Sequence, residues 1–181
     1  MPKMTDDEVQ AFLDEPGHLV RIATTDEDGM PRVVPLWYIR QGDEIVFTPR
    51  APALLLANLR RDPRIGLSID EDPQPYRKVT VQATARIVHE PGEDDVWRDL
   101  YRQIANRYIP EEATEAYVTD TIDQPRALIA VPLKGSKVST WRMPVGEEKA
   151  TGIWARRYYV EGTKMAELAD STEHKVYNLN G

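Results

Sequence analysis

Cysteine is absent from the 181 residues, which removes disulfides, thiolate nucleophiles and cysteine-built zinc sites together. Histidine is scarce: His18, His89 and His174 are the three present, and no two have the spacing of a metal pair. No apolar run approaches the roughly 20 residues that a membrane helix needs. The stretch Met1-Pro2-Lys3-Met4-Thr5-Asp6-Asp7 lacks the basic and apolar parts of a secretory leader. A cytoplasmic location with no membrane partner is therefore expected. Positive charge is also short, with 23 Lys and Arg against 30 Asp and Glu, a net charge of −7. Without a basic run, the chain is not built to neutralise nucleic-acid phosphates. A phosphate-cradling glycine loop and a calcium loop of alternating acids are both missing.

What is present is a succession of short, well-punctuated elements, with fourteen prolines spread along a chain of single-domain length. Thr5 to Glu15 reads as a helix: Thr5 can cap it, Asp6, Asp7 and Glu8 suit its positive end, and Val9, Phe12 and Leu13 form a stripe. His18 to Thr24 reads as a strand, followed by a turn at Asp26-Glu27-Asp28-Gly29. Arg32 to Ile39 reads as a second strand, turned back at Gln41-Gly42-Asp43 into Glu44 to Thr48 as a hairpin. Pro52 suits the first turn of a helix to Arg61, which Asp62-Pro63 stops. Arg64 to Ile69 and Lys78 to Val88 alternate as strands. Glu93 to Tyr108 carries an inward stripe of Val96, Trp97, Leu100, Tyr101, Ile104 and Tyr108. A short helix from Pro110 to Thr121 and two strands, Arg126 to Val131 and Lys137 to Arg142, follow. With no repeated strand-helix-strand unit, the fold class is mainly β: a six- to seven-stranded antiparallel barrel with outer helices. Residues 1–143 form this domain. Residues 144–181 form an extension whose aromatics, Trp154, Tyr158 and Tyr159, suit packing on the barrel or on a partner.

Acidic pairs such as Asp26/Asp28 and Asp70/Asp72 sit in turns, where acids are common without catalysis. No histidine has a partner assignable by spacing, so no catalytic residue and no metal site are assigned. On the hairpin, one of Trp37 and Tyr38 should face the core and the other outward.

Four pieces in order carry a resemblance: Gly29-Met30-Pro31-Arg32-Val33-Val34-Pro35-Leu36-Trp37-Tyr38, Asn58-Leu59-Arg60-Arg61-Asp62-Pro63-Arg64, Tyr76-Arg77-Lys78-Val79 and Val138-Ser139-Thr140-Trp141. From Thr5 to Arg142 the chain resembles the pyridoxamine 5'-phosphate oxidase-like superfamily of flavin-binding split β-barrels. The resemblance implies a homodimer with cofactor sites at the subunit interface. It implies that Arg32, Val33, Val34, Pro35 and Leu36 lie along the flavin ring and that Thr48 touches the ribityl or phosphate part. Arg50, Asn58 and Arg77 join the expected cofactor set, Lys78 reaches the pyrimidine edge, and Trp141 borders the site from the second subunit. The expected activity is that of an oxidoreductase using flavin mononucleotide (FMN), or an 8-hydroxy-5-deazaflavin coenzyme, on a small hydrophobic organic substrate. Flavin-binding relatives carry a serine and a lysine where this chain has Ala53 and Leu55. The alternative is therefore a split barrel without the usual phosphate site, using its pocket for haem, another ligand or a reaction with no cofactor.

Overall fold

The computed structural model describes residues 3–148 and 158–170. It is a mainly β protein of two antiparallel sheets with helices outside. Helix α1 (Asp6–Asp14) begins with a reciprocal cap: the Glu8 amide donates to Thr5 Oγ1 at 3.2 Å, and the Thr5 amide donates to Glu8 Oε2 at 2.7 Å. Two of the donors that a helix start leaves free are thereby satisfied, and Val9, Phe12 and Leu13 turn inward as the stripe requires.

The first sheet has the order β2–β1–β5–β6–β9, formed by Pro31–Leu36, Val20–Thr25, Arg64–Asp70, Lys78–Thr84 and Lys137–Trp141. The second has the order β3–β4–β8–β7, formed by Ile39–Gln41, Glu44–Phe47, Leu128–Pro132 and Arg86–His89. The main core lies between them. Val20, Ile22, Leu67, Ile69, Val79 and Val81 face Ile45, Phe47, Ile129 and Val131. Strand β2 is an edge strand, which is where a strand containing Pro31 and Pro35 belongs, since proline cannot donate to a ladder.

Two expected strands are each two strands. Arg32 to Ile39 divides at Trp37-Tyr38, where the chain leaves one sheet for the other. The hairpin is β3 with β4, while β2 pairs with β1. Lys78 to Val88 divides at Ala85, whose amide turns aside to donate to Pro63 O at 2.8 Å; β6 then belongs to the first sheet and β7 to the second. Among the described residues nine strands thus stand where about seven were expected. Apolar alternation runs straight through a change of sheet, so periodicity does not register it. At the first of these changes Tyr38 is fully buried and donates from its hydroxyl to Leu13 O at 3.0 Å. The Tyr108 hydroxyl accepts from the Tyr38 amide at 3.0 Å and donates to His18 O at 2.7 Å, pinning the crossover.

Helix α2 (Leu54–Arg61) starts two residues later than Pro52, with Ala53 at its cap. Helices α3 (Asp94–Asn106) and α4 (Glu111–Asp120) cover the outer side of the second sheet, where Trp97, Tyr101 and Val118 pack on Val46, Leu128 and Ala130. Strands β4 and β8 are consequently buried on both faces. Val96 was expected inward and is 75% exposed. Trp97, at φ −127° and ψ 18°, interrupts the helical repeat and displaces the stripe at that end. Helix α5 (Lys164–Asp170) lies in the expected extension. Residues 149–157, with Trp154, and residues 171–181, with His174, are outside the described residues.

Candidate functional site

The change of sheet after β2 leaves Trp37 on the outer side while Tyr38 is buried. Trp37 lies flat on Tyr108, with ring centroids 5.1 Å apart and planes 4° apart, and Tyr117 meets it edge-on at 5.9 Å. Around this aromatic group is a cavity of about 290 Å³. Its lining is in part apolar, from Leu19, Pro35, Leu36 and Trp37, and in part polar, from Thr48, Tyr101, Tyr117 and Arg126. The backbones of Arg50 and Arg126 form an antiparallel bridge beyond β4 and before β8. Both guanidinium groups then reach one phenol oxygen: Tyr117 Oη accepts from Arg126 Nη2 at 3.0 Å and from Arg50 Nη2 at 3.5 Å.

Arg126 is 7% exposed and has its guanidinium carbon 4.6 Å from the Tyr101 ring centroid and 5.8 Å from that of Tyr117. These faces partly offset its lost hydration. Tyr101 is pushed far up by burial, with the adjacent Tyr117 hydroxyl adding to it. Burial acts upward on Tyr117 too, but the Tyr101 hydroxyl, Arg50 and Arg126 together bring that phenol down to about 8. Two tyrosines a ring apart are therefore driven in opposite directions, the arrangement found where a proton or a charge is to be handled.

The residues expected from sequence fall into separate places within one chain. Pro35, Leu36 and Thr48 line the cavity, and Arg50 stands at its edge through Tyr117. Val34 packs against the core, whereas Val33 is 63% exposed on the sheet's outer side. Arg32 grips Asp26 through Nε at 2.8 Å and Nη2 at 2.7 Å. Asn58 donates to the same carboxylate at 2.7 Å and to Thr24 Oγ1 at 3.1 Å, tying α2 to the β1–β2 turn. Arg32, then Asn58, hold the Asp26 carboxyl down at about 2. Arg77 is held by Glu15 and Glu71. Lys78 and Trp141 face each other in register on β6 and β9, the ammonium 5.1 Å from the indole centroid. A broad open hollow of about 850 Å³ crosses the outer side of the first sheet over Ala23, Gly66 and Gln82.

A family model described as pyridoxamine 5'-phosphate oxidase matches residues 5–137. The chain belongs to that family. No protein among the curated ones compared matches it. Solved structures share the family's split-barrel fold. The conserved hypothetical protein Rv2991 from Mycobacterium tuberculosis is 21% identical with a TM-score of 0.61, over 81% of this chain and 92% of that one. An F420 reductase is 20% identical with a TM-score of 0.52, over 75% and 98%. HutZ, the heme storage protein from Vibrio cholerae, is 18% identical with a TM-score of 0.55, over 74% and 94%. At these identities the likeness is one of fold.

Tyr117 and Arg126 were not among the residues singled out from sequence as site candidates, and Tyr101 entered only as part of the α3 stripe. The family resemblance drew attention to β2 and α2, while these three come from α3, α4 and the lead into β8. The available signal was an arginine set directly before the apolar run Ala127-Leu128-Ile129-Ala130-Val131. The one cluster of possible metal-ligating atoms among the described residues is Glu15, His18 and Glu71, within 4.8 Å of one another. Arg77 already bridges its two carboxylates at 2.7 Å and holds both pKa values down, so it is read as an ion-pair lock.

Proposed function

We propose that this family member is an oxidoreductase that uses FMN or a deazaflavin coenzyme on a small hydrophobic organic substrate, and that it works as a homodimer. The observation that carries the reading is the cavity between β2 and the α3–α4 pair. Its lining combines apolar surface for a planar ring system with hydrogen-bonding and cationic groups. Its volume is at the lower end for small-molecule sites, enough for part of such a cofactor. Lys78 and Trp141 lie away from the cavity lining within one chain, as they would if each protomer completed its partner's site.

In this reading Pro35, Leu36 and Trp37 form the bed of the ring, Thr48 offers its hydroxyl, and Arg126 with Arg50 supplies positive charge to an anionic portion. The bound cofactor supplies hydride chemistry, while the chain supplies orientation, electrostatics and exclusion of water. Leu55 is 4% exposed and packed in the main core, so within one chain that position does not open onto the cavity.

The test is the absorbance spectrum of freshly purified protein, followed by titration with FMN and with a deazaflavin coenzyme. Bound or tightly taken-up cofactor in a dimeric protein is expected. Colourless protein that takes up neither would sink the reading. It would favour the second one, a barrel using the pocket otherwise, which Ala53 and Leu55 at the usual phosphate-contact positions motivate. A Soret band would mark haem, for which the cavity offers phenol oxygens and no imidazole among its lining residues.

A further inference from the structure

Among the described residues the arginines are, with two exceptions, spoken for. Among the described residues every arginine other than Arg50 and Arg126 is ion-paired or donates to a backbone carbonyl. Arg50 and Arg126 share a single neutral acceptor, the Tyr117 phenol oxygen. The acid nearest to Arg126 in the hydrogen-bond network is Asp94. One of its oxygens accepts from the Arg126 backbone amide at 2.8 Å and the other from the Gly92 amide at 3.0 Å, so it forms no ion pair with the guanidinium. A buried guanidinium without a counter-charge is costly, and a second cation beside it raises that cost. Tyr101, 5% exposed, lines the same cavity, and apart from the adjacent Tyr117 phenol no group among the described residues engages its hydroxyl. Arg126 without a counter-charge, the adjoining Tyr101 and Tyr117 hydroxyls and the Thr48 hydroxyl thus line one cavity, with Arg50 at its edge through Tyr117.

We infer that Arg126 and Arg50, with Tyr101 and Tyr117, form a binding site for a phosphate group, replacing the serine and lysine that relatives place before the Asn58-Leu59 segment. Planar guanidinium groups suit oxyanions of this kind, because their paired N–H donors match two oxygens at once. The phosphate takes the place of Tyr117 as acceptor, and the phenol is then free to donate to it. The inference rests on the flavin reading only for the source of the phosphate, which is the cofactor's own or that of a separate anionic ligand.

The experiment measures binding of FMN, riboflavin and inorganic phosphate to the full chain and to Arg126→Gln, Arg50→Gln and Tyr117→Phe, by calorimetry and ligand-induced shifts in melting temperature. Arg50 is exposed, so its variant keeps the fold even if Arg126→Gln proves unstable; circular dichroism checks both. We expect each arginine variant to lose about ten- to hundredfold in FMN affinity while riboflavin affinity is unchanged. A merely structural role would lower both flavins together. Loss of inorganic phosphate binding in the variants, with no flavin bound by any form, would support the site and identify a separate anion as its ligand, while the flavin reading failed. FMN and riboflavin bound equally well by all four proteins, with no response to inorganic phosphate, would overturn the site and leave the flavin reading standing.

Discussion

Arg77 and Arg126 are the same side chain in opposite circumstances. Arg77 donates from Nε to Glu71 at 2.8 Å, from Nη1 to Glu15 at 2.7 Å and from Nη2 to both carboxylates at 2.7 Å, with its guanidinium carbon 4.7 Å from the Phe12 ring centroid. Its hydrogen-bonding capacity is spent on joining α1 to the loop between β5 and β6. Arg126 has one phenol, two ring faces and a cavity in front of it. Both are charged groups set among aromatics, and the family resemblance placed Arg77, not Arg126, in the expected cofactor set. The difference lies in what other elements bring to each. Acids from two elements saturate the first, while only tyrosines and a second arginine meet the second. Saturated polar groups specify a fold; unsaturated ones keep capacity for something else.

The strongest way to break this contrast is to put a cation where the fold has no use for one. Leu55→Lys would bury an ammonium in the main core, and we expect a loss on the order of 4 kcal/mol in urea unfolding with no gain in FMN affinity. A folded variant that binds FMN more tightly would mean that position 55 does reach the phosphate. Next, Arg77→Met leaves Glu15 and Glu71 facing each other without their cation. A loss of about 3 kcal/mol is expected, with FMN affinity unchanged; an equal effect on binding would erase the distinction between lock and site.

The acid limb of stability sharpens the same point at Asp26. Its carboxyl, held down to about 2 by Arg32 and Asn58, contributes stability that is present above the ordinary carboxylate value and is lost as pH falls from about 4 toward 2. Asp26→Asn should flatten that part of the curve in acid titrations followed by circular dichroism. The smallest effect concerns Tyr117. As pH rises through about 8 its phenolate would sit between Arg126 and Arg50, with Tyr101 opposite still protonated, and compete with a bound anion. Phosphate-dependent affinity should fall several-fold between about pH 7 and pH 9, and Tyr117→Phe should abolish that slope.

Much of the fold was open to reading because its signals are local. The cap at Thr5 and Glu8, the alternation of Ile65, Leu67 and Ile69, and the stop at Asp62-Pro63 each lie within one element. The changes of sheet at Trp37-Tyr38 and at Ala85 were not legible, since the residues on either side continue the same alternation. The site divides the same way. Pro35, Leu36, Thr48 and Arg50 were reachable through the resemblance because β2, β4 and the stretch after them carry its motifs. Arg126 becomes notable only when its backbone is paired with that of Arg50 and its side chain is seen to lack an acid, and both depend on residues distant in the chain.

The two walls of the cavity are made differently. Leu36 and Pro35 belong to a strand hydrogen-bonded along its length to β1, whereas Tyr117 rides on a helix whose buried contacts are Thr114 and Val118. Tilting that helix outward breaks no ladder hydrogen bond, only the packing of Val118 and Tyr117 and the Arg102–Glu115 pair. The cavity therefore has one wall held by a strand ladder and one held by side-chain contacts alone, and under the proposed reading the second is the one that adjusts to ligand size. Backbone amides of α4 should accordingly exchange with deuterium faster than those of β8 directly beneath, and a ligand anchored at Arg126 should slow α4 while leaving β8 unchanged.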